Sequence, residues 1–262
     1  MAFFEAQDIS ISFGGLMALH GVGFSVEKGE VFSIVGPNGA GKTTIFNCVN
    51  RFYDLDEGLL LFKGENITRA RPHRIADLGI SRTFQNVELF KNTTVIQNLL
   101  LGRHRHRRSN LLTEALFTKS VRRQEIGSRE KAEEVIDFLD LQAYRDQMVV
   151  NLPYGVQKIV ELGRALTMDP ELLLLDEPSS GMNMEETEDL SFWIEDITEE
   201  LGITILLVEH NMRLVNEVSD RVVALNFGEV IAQGEPREVL HHPEVVKAYL
   251  GEEGGVAQGQ QR

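Results

Sequence analysis

Nine consecutive residues, Gly36-Pro37-Asn38-Gly39-Ala40-Gly41-Lys42-Thr43-Thr44, constrain this chain more than any other stretch. They fit the pattern G-x-x-x-x-G-K-[ST], follow the apolar run Val31-Phe32-Ser33-Ile34-Val35, and open a helix-like stretch from Lys42 to about Asn50. A strand so uniformly apolar belongs in a parallel sheet covered on both faces. Glycines in the turn let backbone approach phosphate oxygens without a Cβ in the way. Successive N–H groups and the helix N-terminus then supply oriented partial positive charge. Lys42 adds a full charge that can reach the β- and γ-phosphates, and the Thr43 hydroxyl is placed to ligate Mg²⁺.

A second run, Leu172-Leu173-Leu174-Leu175-Asp176-Glu177, is an apolar strand ending in two carboxylates. Carboxylates at the carboxyl end of a parallel strand point into the crevice where open α/β sheets bind ligands. Asp176 is expected to hold Mg²⁺, directly or through water, and Glu177 to orient and deprotonate an attacking water. The strand reading of Ile203 to Val208 sets His210 at its end, where an imidazole could hydrogen-bond a γ-phosphate. Alone, neither His210 nor Gln85 in Arg82-Thr83-Phe84-Gln85 carries much information.

The remaining pattern is strand, turn and helix without repeats. The first 35 residues read as short strands with turns at Gly14-Gly15, Gly21 to Gly23 and Lys28-Gly29-Glu30. Residues from about Asn86 to Arg164 read mostly helical. Leu190, Trp193, Ile194, Ile197 and Leu201 share one helical face, and eight acids without a Lys or Arg between Glu185 and Glu200 suit a solvated opposite face. Strands alternating with helices and interrupted by a helical block imply an α/β sheet core carrying a helical subdomain. Glu252 to Arg262, rich in Gly and Gln, is expected to fray as a tail.

Length and charge bound the function. At 262 residues the chain can bury a full core, and 42% apolar with 25% charged residues is ordinary globular composition. One cysteine, Cys48, cannot form an internal disulfide, which suits a reducing compartment. The N-terminal MAFFEAQDIS lacks a secretory pattern, and no apolar run approaches the roughly 18 residues of a membrane span. These features point to a cytoplasmic protein. A net charge of −14 argues against nucleic acid as the main partner.

Taken together and in this order, these residues resemble the ATP-binding subunit of ATP-binding cassette (ABC) transporters, from about Phe3 to Gly251. The resemblance implies a P-loop NTPase fold with an antiparallel β subdomain and a helical subdomain inserted at about 86–164. It implies ATP and Mg²⁺ as ligands, with Gln85 sensing the metal and the attacking water and contacting a transmembrane partner. Asp176 matches the family's Mg²⁺-associated aspartate, Glu177 its catalytic base and His210 its switch histidine. Phe13 sits where the family stacks an aromatic on adenine.

Two segments depart from the family pattern. Leu152-Pro153-Tyr154-Gly155-Val156-Gln157 stands where Leu-Ser-Gly-Gly-Gln is usual, a loop that clasps the γ-phosphate bound to the other protomer. Pro153 has neither the usual serine's hydroxyl nor an N–H, although proline suits a first helical position, and Asn151 is a candidate substitute cap. Ser180-Gly181-Met182-Asn183 carries Asn where Asp is usual.

The signature with Tyr before Gly, the Arg82–Gln85 segment, Gly181-Met182-Asn183 and the ending Pro243-Glu244-Val245-Val246-Lys247-Ala248-Tyr249-Leu250-Gly251 resemble the longer ATPase subunit of branched-chain amino acid importers. That implies permease subunits and a second ATPase as partners, in a heterodimer or homodimer on the cytoplasmic face of the membrane, with a solute-binding protein beyond. Rival readings are a lipopolysaccharide-type export ATPase and a soluble ABC ATPase acting as regulator or scaffold. From Gly102 to Lys131 nine Lys or Arg oppose three acids, so this stretch is expected near anionic lipid or an acidic permease loop.

Overall fold

The structure is a computed structural model and describes residues 2–106 and 119–256. The chain opens with β1 (Phe4–Phe13) and β2 (Leu16–Val26), a hairpin turning at Gly14-Gly15. It continues through β3 (Val31–Val35), α1 (Lys42–Val49), β4 (Glu57–Phe62), β5 (Glu65–Asn66), α2 (Pro72–Asp77) and β6 (Ile80–Arg82). The helices α3 (Val95–Gly102), α4 (Lys119–Phe138) and α5 (Tyr154–Leu166) separate β6 from β7 (Leu172–Asp176). After β7 come α6 (Met184–Glu199), β8 (Thr204–Val208), α7 (Met212–Val218), β9 (Arg221–Asn226), β10 (Glu229–Gly234), α8 (Pro236–Leu240) and α9 (Pro243–Val256).

Two sheets result. An antiparallel sheet has the order β2-β1-β4-β5, and a second has the order β10-β9-β3-β8-β7-β6. In the second, β9, β3, β8, β7 and β6 run parallel and only β10 is antiparallel. All five residues of each of β3, β7 and β8 are buried, as their continuous apolar runs require.

Alternation along these strands divides the core. Phe32, Ile34, Leu172, Leu174, Leu206 and Val208 face the antiparallel sheet and α1. Val31, Leu173, Leu175, Ile205 and Leu207 face the other way, onto the apolar sides of α3, α4, α5 and α6. A smaller cluster joins Val35, Val222 and Ala224 to Val239 of α8 and Val245 of α9. Cys48 is sealed on the first side, and burial pushes its thiol up to about 12, so it stays protonated and inert.

Several local expectations change. Gly21 to Gly23 is no turn: β2 runs straight through it, and the pairing shifts from Ile9↔Val22 to Ile11↔Leu19. Gly21, at φ 59, supplies the extra residue of that irregularity, and its N–H is taken by the Ser10 hydroxyl at 2.9 Å. On α6, Leu190, Ile194 and Ile197 are buried and Trp193 packs against them, but the helix ends at Glu199 and leaves Leu201 43% exposed. Helix α9 extends through Val256, inside the stretch expected to be a tail, and residues 257–262 lie outside those described.

The basic stretch is partly accounted for internally. Arg103 donates to the Thr167 carbonyl at 2.8 Å and pairs with Asp169, which Lys131 also approaches at 3.3 Å. Arg122, Arg123 and Arg129 are exposed, while Arg107 and Arg108 lie outside the described residues. Among the described residues no cluster of His, Cys, Asp and Glu could hold a metal, and no helix is long and apolar enough to cross a membrane.

Candidate active site

The nine-residue turn leaves the carboxyl end of β3 and enters α1 with geometry only glycine tolerates at two points. Gly36 has φ 149, and a Cβ there would lie 2.3 Å from the Leu225 carbonyl oxygen. Gly41 has φ 105 and would place a Cβ 2.7 Å from Leu19 and 2.9 Å from the Ala18 carbonyl oxygen. Helix α1 begins at Lys42, after the Gly41 N-cap, with no side-chain cap. Gly36, Pro37 and Ala40 are buried, while Asn38, Gly39 and Thr43 are exposed and Thr44 is half-buried. Lys42 is only 5% exposed, and its ammonium donates to the carbonyls of Gly36 at 2.6 Å and Pro37 at 3.0 Å. The lysine thus lies along its own loop, with its charge held where phosphate oxygens would sit.

At the end of β7 the two carboxylates part. Asp176 is 2% exposed and takes the Arg82 guanidinium on Oδ2 at 2.6 Å. Burial pushes its carboxyl upward, with Arg82 pulling the other way. Oδ1 is buried without a hydrogen-bond partner, an acceptor suited to a hard cation or to water on one. Arg82 also donates to Asn47 on α1 at 2.8 Å and lies over the rings of Phe46 and Phe84. It couples the helix after the turn to the end of β7.

Glu177 turns away from the strand at φ 48, a left-handed conformation uncommon outside glycine. Its N–H donates to the Val208 carbonyl at 2.8 Å, which ties the turn to the end of β8. Glu177 Oε2 accepts from Gln85 Nε2 at 2.8 Å and lies 3.6 Å from His210 Nδ1. Two residues from separate segments therefore meet at the Glu177 carboxylate. Phe13, at the end of β1, is 45% exposed and meets Tyr53 edge-on with centroids 4.9 Å apart, so it is not a core aromatic.

Leu152–Gln157 packs instead against the loop and helix that follow β7. Pro153 is the N-cap of α5 rather than its first helical residue, and no side chain caps this end. Asn151 closes the single 3₁₀ turn Val149–Asn151 and does not substitute. Gln157 reaches back to the Leu152 carbonyl at 2.8 Å. A Cβ on Gly155 would lie 2.1 Å from Glu186 Oε1, and one on Gly181 would lie 2.7 Å from the Tyr154 ring. Leu152 and Gly155 are buried, Val156 and Gln157 half-buried, and Pro153 and Tyr154 exposed. Asn183 has a clear local role: its side chain accepts the Glu186 N–H at 3.0 Å while Glu186 accepts the Asn183 N–H at 2.8 Å, a complete capping box for α6.

Charged groups on α5 are the main feature the sequence reading missed. Lys158, 5% exposed, donates to the Gln85 carbonyl at 2.6 Å. Glu161, 1% exposed, accepts the Glu88 N–H at 3.3 Å and lies 3.6 Å from Arg164, which donates to the Glu88 carbonyl at 2.5 Å. Burial pushes Lys158 down and Glu161 up. Their spacing of three along one helix face was the available signal, because charged residues flanked by Ile159, Val160 and Leu162 cannot all face water.

A parallel sheet with a glycine-rich turn after an inner strand, set beside a separate antiparallel sheet, is the architecture of a nucleotide-binding cassette. Residues 19–180 match the ABC transporter family, and residues 229–255 match the branched-chain amino acid ATP-binding cassette transporter family. The chain is 42% identical to the high-affinity branched-chain amino acid transport ATP-binding protein BraF of Pseudomonas aeruginosa, over 95% of this chain and 97% of that one. It is 38% identical to the corresponding protein LivG of Escherichia coli over the same shares of both chains. The crystal structure of MJ1267, an ATP-binding cassette of an ABC transporter in its ADP conformation, superposes with a TM-score of 0.83 at 33% identity, covering 96% of this chain and 99% of that one. This chain belongs to the ABC transporter ATP-binding family.

Proposed function

We propose that the chain binds and hydrolyses ATP as the motor subunit of an importer for branched-chain amino acids or a related small solute. Its strongest support is the convergence of Gln85 and His210 on the Glu177 carboxylate. Glu177 orients the attacking water and takes its proton, and Gln85 and His210 hold that carboxylate in place. Lys42 and the first-turn N–H groups of α1 bind and align the phosphates, and Phe13 stacks on the adenine. Thr43, Gln85 and the unpartnered Asp176 Oδ1 would hold Mg²⁺. When bound, Mg²⁺ neutralises charge on the phosphate oxygens.

Leu152–Gln157 faces ATP held by a second ATPase subunit, in a heterodimer docked under two permease subunits on the cytoplasmic face, fed by a solute-binding protein. The C-terminal family match and the names of BraF and LivG support the importer over the lipopolysaccharide-export and permease-free readings. Glu177→Gln should keep ATP binding while lowering turnover about 10²–10⁴-fold. Near-normal turnover would reject Glu177 as the base. Leucine, isoleucine or valine uptake by vesicles holding the permease subunits should then require wild-type Glu177.

A further inference from the structure

We infer that Glu209 is the positioning residue that holds His210 against Glu177, and that it does so by stapling the loops after β7 and β8 together. Glu209 follows β8 directly and is fully buried, an unusual place for a carboxylate. Its two oxygens serve different loops. Oε1 accepts the Ser179 N–H at 2.9 Å, and Oε2 accepts the N–H groups of His210 at 2.9 Å and Asn211 at 3.1 Å. Those donors lie outside helices and strands, so the carboxylate replaces the ladder that would otherwise fix them.

The geometry runs outward from this staple. Oε2 lies 3.8 Å from His210 Nδ1, on the ring that approaches Glu177 at 3.6 Å. Asn211, gripped by the same oxygen, caps α7 by accepting the N–H groups of Arg213 and Leu214. On the other arm, Ser179 lies within the short loop from Glu177 to the α6 cap at Asn183, where Met182 N–H returns to the Ser179 carbonyl at 3.0 Å. A shift of either loop therefore moves Glu209, and with it the distance between His210 and Glu177. Glu209 touches no reacting atom; it acts through His210.

This inference rests on the hydrolysis reading, so the test separates the two. Single-turnover ATP hydrolysis by the full chain should fall about 10- to 100-fold in Glu209→Gln, where one amide N–H₂ must face a backbone N–H donor, with ATP affinity unchanged. In a His210→Ala background the same substitution should add no further loss. Equal losses in both backgrounds, or weakened ATP binding with normal turnover, would overturn the role of Glu209. Amide hydrogen exchange on the wild-type chain gives an answer even if the variant does not fold. Ser179, His210 and Asn211 should exchange far more slowly than exposed loop amides, and random-coil exchange at Ser179 or His210 overturns the staple. Absence of ATP hydrolysis by the wild-type chain would instead defeat the hydrolysis reading and leave the exchange result standing on its own.

Discussion

The two segments proposed to face phosphate are built on opposite plans. Gly36–Thr44 is specified by backbone: Gly36 and Gly41 sit where no side chain fits, and the ligand-facing groups are N–H donors and one buried lysine. Leu152–Gln157 is specified by packing: Gly155 is pressed against Glu186, Tyr154 against Gly181, and Pro153 brings no donor of its own. A backbone site admits few sequences, whereas a packed site needs only complementary shapes.

The largest expected effect tests the first plan. Lys42→Ala removes the charge and strands the Gly36 and Pro37 carbonyls it now serves, so ATP affinity should fall by about 2–3 kcal/mol, as for a hydrogen bond to a charged group. Titration with a fluorescent ATP analogue measures this; affinity within twofold of wild type would mean the backbone alone carries binding. Next comes the packed segment. Gly155→Ala should cost about 1 kcal/mol in urea unfolding, because the new methyl drives the end of the Glu186 side chain out of its capping box. Adding Glu186→Ala should recover part of that loss, and a purely additive double variant would show that the contact does not define the segment. Asn183→Ala should cost about 1 kcal/mol by losing the same cap from the other side, whereas Asn183→Asp should be nearly neutral. A large penalty for Asn183→Asp would show that Asn does more here than cap.

What the sequence made legible follows the same division. The strands Val31–Val35 and Leu172–Leu175 were readable because burial on both faces leaves an unbroken apolar run, and the turn because its glycines answer to backbone geometry. Gly21 to Gly23 misled, since glycine marks an irregularity inside a strand as readily as a turn, and only the register with β1 decides between them. Leu201 misled because helical periodicity continued past the point where the helix stopped. The spacing of Lys158, Glu161 and Arg164 hints that they are buried, but their partners in Gln85–Glu88, like the Ser179 partner of Glu209, are distant in the chain, and no local pattern names them.

The smallest expected effect probes where the two plans meet. Pro153→Ser would restore a hydroxyl at the N-cap of α5, whose extended backbone at φ −53 and ψ 150 a serine accepts without strain. The cap should add about 1 kcal/mol, while loss of proline's restriction on the unfolded chain should remove about 0.4–1 kcal/mol. Net stability should therefore move by no more than about 0.5 kcal/mol, measured by urea unfolding. Turnover is the more telling readout, because the new hydroxyl would offer a donor to ATP held by the proposed second subunit. Faster turnover of the assembled transporter at unchanged stability would mean that the proline holds the packed site below the strength of the backbone site. Unchanged turnover would mean that Gly155 and the α5 N-terminus already supply what the opposite phosphate needs.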